Sequence, residues 1–195
     1  MSLKSEIRFK TYNTRRNLPP QSGRRRSESN FVGAFLKSYM QDDKGSHWCG
    51  RHFAVPDCGV ADCIVFRLGA KNEEMAMEHL TAFEAKLSDW RKALAQAYRY
   101  RYYANSSVVI MPAECARSAI QNGNLFERFG IGLWTFDPGS GTIQDLIPAR
   151  SLTPRSAQKR EQALIRIQRC ALQLRKLRKD AETFRNRRQV IPVGL

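Results

Sequence analysis

Three ionisable residues sit in stretches where an apolar strand does not ordinarily carry charge. Asp62 lies early in the run 59–66 (GVADCIVF), and Glu84 and Lys86 lie inside 81–87 (TAFEAKL). Side chains alternate along a strand, so Glu84 and Lys86 share a face, about 7 Å apart. If the two runs are neighbouring strands, two carboxylates and an ammonium meet at one point of a sheet. Burying a lone charge costs on the order of several kcal/mol unless it is paired or binds a metal. A divalent cation resolves that cost. Magnesium takes one or two carboxylates and keeps water for a substrate phosphate. It then polarises a phosphoryl group and helps to form hydroxide.

The elements that must position these residues can be read from periodicity and turn residues. A helix is expected from Ser27 or Ser29, with Phe31, Phe35, Leu36 and Tyr39 on one side. Residues 41–59 read as turns. Strands are expected over 60–68 and 79–87, joined by a connection over 69–74 that could hold a short helix. Ser88 or Asp89 can cap a helix reaching about Ala104. A buried strand (VVIM) then ends at Pro112, a helix spans 114–127, and 130–136 with 142–147 make a hairpin. Residues 155–188 contain no Pro or Gly and repeat apolar residues at three- and four-residue steps, which predicts a long amphipathic helix. The order implies an α/β fold with a mixed sheet flanked by helices. The expected organisation is a basic arm (1–27), a core (28–154) and a basic helical extension (155–195).

Asp62 followed by Glu84-Ala85-Lys86 resembles the PD-(D/E)XK nuclease superfamily. Gln96 and Tyr100, four residues apart on one face of the next helix, are similar to the Q-x-x-x-Y element of RecB-like nuclease domains. The resemblance covers roughly residues 28–136. It implies a restriction-endonuclease-like fold and a magnesium or manganese ion held by Asp62, Glu84 and the Ala85 carbonyl. Lys86 would orient or help deprotonate the attacking water, or stabilise charge on the phosphorane. Gln96 and Tyr100 would contact DNA or support the catalytic groups. Two positions depart from the pattern. Ala61, not proline, precedes Asp62, and a literal Pro56-Asp57 occurs in a turn-rich stretch. Asp62 is preferred because it opens an apolar strand. Glu28 is the best candidate for a third acid, with a helix-dipole partner as its alternative role.

Charge points to the same partner. The formal charge is +15 over 195 residues. Residues 1–26 carry eight Lys/Arg against one acid, residues 155–195 carry twelve against three, and the stretch between them is close to neutral. Such ends attract a polyanion, nucleic acid first and an acidic membrane surface or protein second. The expected phosphate contacts are Arg24, Arg25 and Arg26 in the arm, Arg99 and Arg101 among tyrosines, and Arg169, Arg175 and Arg178 in the C-terminal helix. The apolar stripe of that helix could instead meet a protein partner, a second copy of the chain, or the core. The five cysteines, an odd number, argue against a secreted disulfide framework, and no apolar run is long enough to span a membrane. No signal peptide is recognised, so a cytoplasmic location is expected, on the nucleoid where DNA is the substrate. His47, Cys49, His52, Cys58 and Cys63 crowd one segment, but they lack the paired C-x-x-C spacing of a zinc site. Two readings follow: a metal-dependent nuclease acting on DNA, or a non-catalytic nucleic-acid-binding subunit with a nuclease-like fold.

Overall fold

Strand β3 (Gly59–Lys71) divides its apolar residues between two faces. Cys63 and Val65 enter one core, and Ile64 and Phe66 enter the other. All four are buried, as expected for a strand with helices on both faces of its sheet. The computed structural model describes residues 6–8, 23–41, 47–71 and 74–170. Among these, seven strands form one mixed sheet in sequence order. They are β1 (Glu6–Arg8), β2 (His47–Val55), β3, β4 (Glu74–Ala85), β5 (Ser106–Met111), β6 (Gly132–Phe136) and β7 (Ile143–Ile147). Strands β2, β3 and β4 are antiparallel neighbours, and β4, β5 and β6 run parallel. Strand β7 returns antiparallel to β6, and β1 lies parallel to β2.

Parallel neighbours need crossovers, and helices supply them. Helix α2 (Trp90–Tyr100) joins β4 to β5. A 3-10 turn (Ala113–Cys115), α3 (Arg117–Gln121) and α4 (Gly123–Phe129) join β5 to β6. These helices share one face of the sheet with α5, the helix over 157–170, which buries Ala163 and Ile167 there. Helix α1 (Gly23–Tyr39) covers the opposite face with Phe31, Val32, Phe35 and Leu36. No helix among the described residues is long and apolar enough to cross a membrane.

The α/β class, the mixed sheet and its flanking helices match the expectation from sequence, and four details differ. Helix α1 begins at Gly23, so Arg24, Arg25 and Arg26 are helical rather than part of an irregular arm. Residues 47–55 form a strand, not a run of turns. The connection at 69–74 is the end of a long hairpin, with β3 and β4 paired out to Lys71 and Glu74. The single helix over 114–127 is broken at Asn122, whose dihedrals are non-helical. Helix α5 packs on the core from within the predicted extension, and residues 171–195 lie outside the described residues.

Phe35 is the centre of the α1 face. Its ring lies 5.3–6.5 Å from those of Tyr39, Phe83, Trp134 and Phe136. Phe35→Ala should cost about 3–5 kcal/mol in urea unfolding, the usual range for an emptied aromatic site. A loss below about 1 kcal/mol would contradict this packing of α1 on β4 and β6.

Candidate active site

Sheet register brings the charged residues together. Arg51 pairs with Cys63, and Cys63 with Phe83, so one step further along places His52, Asp62 and Glu84 in a row across β2, β3 and β4. Pairing of β3 with β4 stops at Cys63 and Phe83. Strand β4 stays paired to β5 through Glu84 and Ala85, and the Lys86 N–H donates to the Ile110 carbonyl at 3.1 Å. The β3 side of β4 is therefore open at this level, and a side chain fills it. Asp62 Oδ2 accepts the Ala85 N–H at 2.9 Å.

Lys86 Nζ occupies the centre of this opening. It lies 2.8 Å from Glu84 Oε1, 3.1 Å from the Ala85 carbonyl and 4.0 Å from Asp62 Oδ2. These are the three donors that the resemblance assigns to a metal, so the ammonium stands where a cation is wanted. The set is all oxygen, which suits magnesium or manganese. No group of three or more His, Cys, Asp or Glu with metal-holding geometry occurs among the described residues. Two carboxylates and a peptide carbonyl are still enough for an ion that keeps several waters.

The electrostatics follow from burial. Glu84 is 1% exposed. Burial and the nearby Asp62 push its carboxyl up to about 7, against the opposing pull of Lys86 and Tyr100. Burial also raises Asp62, helped by Glu28 and opposed by Lys86, the Ala85 N–H and His52. Burial alone would depress the Lys86 ammonium, but Glu84 and Asp62 outweigh it and hold the group above its ordinary value.

Helix α2 closes the site from one side. Asp89 caps it by accepting the Lys92 N–H at 3.1 Å. Ala93 and Ala97 bring the helix close to the sheet, and the buried Tyr100 reaches Glu84. Its hydroxyl also lies 2.8 Å from the Val60 carbonyl. A phenol has one hydrogen. When Glu84 is ionised, Tyr100 donates to it. When Glu84 is protonated, the acid donates to the phenol and the phenol donates to Val60. Tyr100 thus holds Glu84 in both states. Gln96 stands one turn earlier on the same face. Its Oε1 is enclosed without a hydrogen-bond partner among the described residues, an acceptor left for water or ligand.

Glu28 belongs with this group, since its charge acts on both Asp62 and Lys86. With α1 starting at Gly23, Glu28 is past the first turn, which contains no acid. That position does not favour the helix-dipole role. Arg51 ties β2 to α1 beside it, donating to the Ser29 carbonyl at 2.7 Å and to Ser29 Oγ at 2.8 Å.

Other expected residues fall elsewhere. Asp57, of the literal Pro-Asp pair, sits in the β2–β3 turn with φ of 62° and is bonded to Lys159 at 2.7 Å. Arg99 is exposed and lies against Gly59 at the start of β3, and Arg169 is exposed on α5. Arg101 is corrected: it is 3% exposed and is not placed to meet a phosphate. It donates to the Phe129 carbonyl at 3.0 Å, where α4 ends at Gly130 in the left-handed region. The side chains of Arg24, Arg25 and Arg26, and the whole of Arg175 and Arg178, lie outside the described residues. Tyr100 and Tyr103 are buried, Tyr102 is exposed, and Tyr98 meets Phe129 edge-to-face with Arg155 over its ring. Cys58 faces the α2 core while Cys49 and Cys63 face the α1 core, so these thiols cannot share one zinc ion. His52 stands out in the sequence only as a zinc candidate, so its place in the charged row is visible only in the structure.

No family model and no curated protein matches the chain. Among solved structures, a protein of unknown function from Silicibacter pomeroyi is similar at 16% identity, with a TM-score of 0.47 over 91% of this chain and 99% of that one. Similarity at that level carries no argument about function.

The raised Glu84 pKa fixes the sign of a pH effect. A carboxyl that binds its proton more tightly when folded stabilises the fold at low pH, and that contribution is lost as pH rises from 4.5 through about 7. In EDTA, the melting temperature should fall across this window. Glu84→Gln, which mimics the protonated acid, should flatten the fall. An unchanged slope in the variant would remove Glu84 from the account.

Proposed function

We propose that this chain is a metal-dependent nuclease that hydrolyses DNA phosphodiester bonds, working within a larger DNA-processing or defence assembly. One observation carries the reading: Glu84, the Ala85 carbonyl and Asp62 converge on the Lys86 ammonium at the end of β4. A half-buried cation among oxygen ligands is an arrangement that phosphoryl chemistry can use. Asp62, Glu84 and the Ala85 carbonyl would hold magnesium or manganese, which polarises the phosphoryl group and acidifies bound water. Lys86 would then act as catalyst rather than counter-ion, holding the attacking water or stabilising the negative charge on the phosphoryl oxygens. Tyr100 fixes the Glu84 carboxylate, and Gln96, one turn earlier on α2, has an enclosed, unpaired oxygen. Glu28 adds negative charge on the α1 side. The excess of basic residues at the two ends of the chain supports a nucleic-acid substrate.

Plasmid and single-stranded DNA should be cut in magnesium or manganese and left intact in EDTA. Lys86→Ala should lower the rate at least about 100-fold, the usual cost of removing a charge-stabilising group. Equal inertness of wild type and Lys86→Ala on every substrate would favour the binding-subunit reading.

The basic ends should govern affinity more than turnover. Replacing Arg24, Arg25 and Arg26 with Gln keeps helix propensity and removes three charges. The log–log salt slope of duplex binding should become shallower by about 0.9 for each phosphate that is no longer neutralised. A wild-type slope and affinity in the triple variant would assign these arginines to another partner.

A further inference from the structure

His52 sits in the row with Asp62 and Glu84, and its backbone is unusual. Its φ is 55°, in the left-handed region that non-glycine residues seldom adopt, and least of all within a strand. The consequence is visible in the neighbouring side chains. Before it, Cys49 enters the α1 core and Arg51 bonds to α1. After it, Phe53 and Val55 enter the α2 core. Regular alternation would put all four on one face, so the strand changes phase at His52.

Strand β3 changes phase at the same level. Ala61 enters the α2 core, whereas Cys63 and Val65 enter the α1 core, and the residue between the two sets is Asp62. The registered pairs Arg51–Cys63 and Phe53–Ala61 bracket His52 and Asp62. The two residues thus face each other across the strands at a shared kink that keeps both out of regular alternation. His52 is exposed, and its charge acts on Asp62. In the row across β2, β3 and β4, Asp62 stands between His52 and Glu84. Adjacent strands are about 4.8 Å apart, so the row from His52 to Glu84 spans about 10 Å.

We propose that His52 is a substrate-binding residue of this site, donating a hydrogen bond from its imidazole to a phosphate oxygen of a nucleic-acid strand laid across the row. This rests on the nuclease reading for the identity of the ligand, but not on turnover. An imidazole keeps at least one N–H in either protonation state, so the contact is available across the neutral range. Hydrogen bonds to charged groups are the stronger kind, and removing one to a phosphate weakens binding about tenfold or more. The alternative is that His52 only permits the kink. Gly and Asn tolerate the same backbone region, so they separate the two roles.

The test is binding of a fluorescent duplex oligonucleotide to the full chain in calcium and in EDTA, alongside melting temperature and cleavage. Wild type should bind more tightly in calcium. His52→Gly and His52→Asn should keep the wild-type melting temperature, lose about tenfold of the calcium-dependent affinity, and lose a similar factor in kcat/KM. Wild-type affinity in both folded variants, or no DNA binding by wild type, would overturn the proposal. If wild type binds in a His52-dependent way but cuts nothing, the nuclease reading fails and the phosphate contact stands. If both variants lose several degrees in melting temperature, the His52 ring signals of wild type decide the matter by NMR. They should move as DNA is added in calcium, and fixed signals would overturn the contact.

Discussion

A carboxylate with 1% of its surface exposed, set in a strand between Phe83 and Ala85, must be compensated by its neighbours or lose its proton-free form. Glu84 receives that compensation from two directions. Lys86 approaches from its own strand, two residues on, and Tyr100 approaches from α2. The remaining local structure serves these two contacts. Strand β3 ends its pairing with β4 at Cys63, which leaves room for the ammonium. Asp62 takes over the Ala85 N–H that the missing partner would have bonded, so the open edge has no orphan donor. The alanines of α2 let Tyr100 come within reach of the sheet.

This compensation is incomplete, and the shortfall is informative. One ammonium faces Glu84 and Asp62, with Glu28 adding to the negative field. The result is a Glu84 carboxyl pushed up to about 7 and a lysine held firmly charged. A second positive charge at this point would relieve the excess, which is the electrostatic case for a divalent ion. The groups are positioned by regular elements: Asp62 on β3, Glu84 on β4 with Lys86 just beyond its end, Gln96 and Tyr100 on α2, and Glu28 on α1. Arg51 ties that last helix to the sheet at Ser29.

The core of the site is legible in the sequence because its residues violate local composition. A carboxylate in GVADCIVF and an E-x-K in TAFEAKL contradict their apolar surroundings, and the four-residue step from Gln96 to Tyr100 follows from helix geometry. Strand β2 is hidden because its phase change at His52 destroys the alternation by which strands are recognised. The same kink hides His52, whose place beside Asp62 depends on register across two strands rather than on spacing along one. Arg101 is misplaced by composition, since it lies among basic and aromatic residues. Its spacing contains the correction: it stands four residues after the buried Ala97 and three before the buried Ala104. Asp57 and Asp62 are separable by composition alone; in the structure Asp57 sits in a turn, bonded to Lys159.

On the proposed reading, Asp62 and Glu84, with the Ala85 carbonyl, form a divalent-cation site now compensated by Lys86. Calorimetric titration of the full chain with manganese, without nucleic acid, tests it directly. Binding to wild type with roughly one ion per chain, abolished in both Asp62→Asn and Glu84→Gln while the melting temperature is kept, is the predicted result. Manganese binding of the same affinity and stoichiometry in the two variants, or none in wild type, would contradict it.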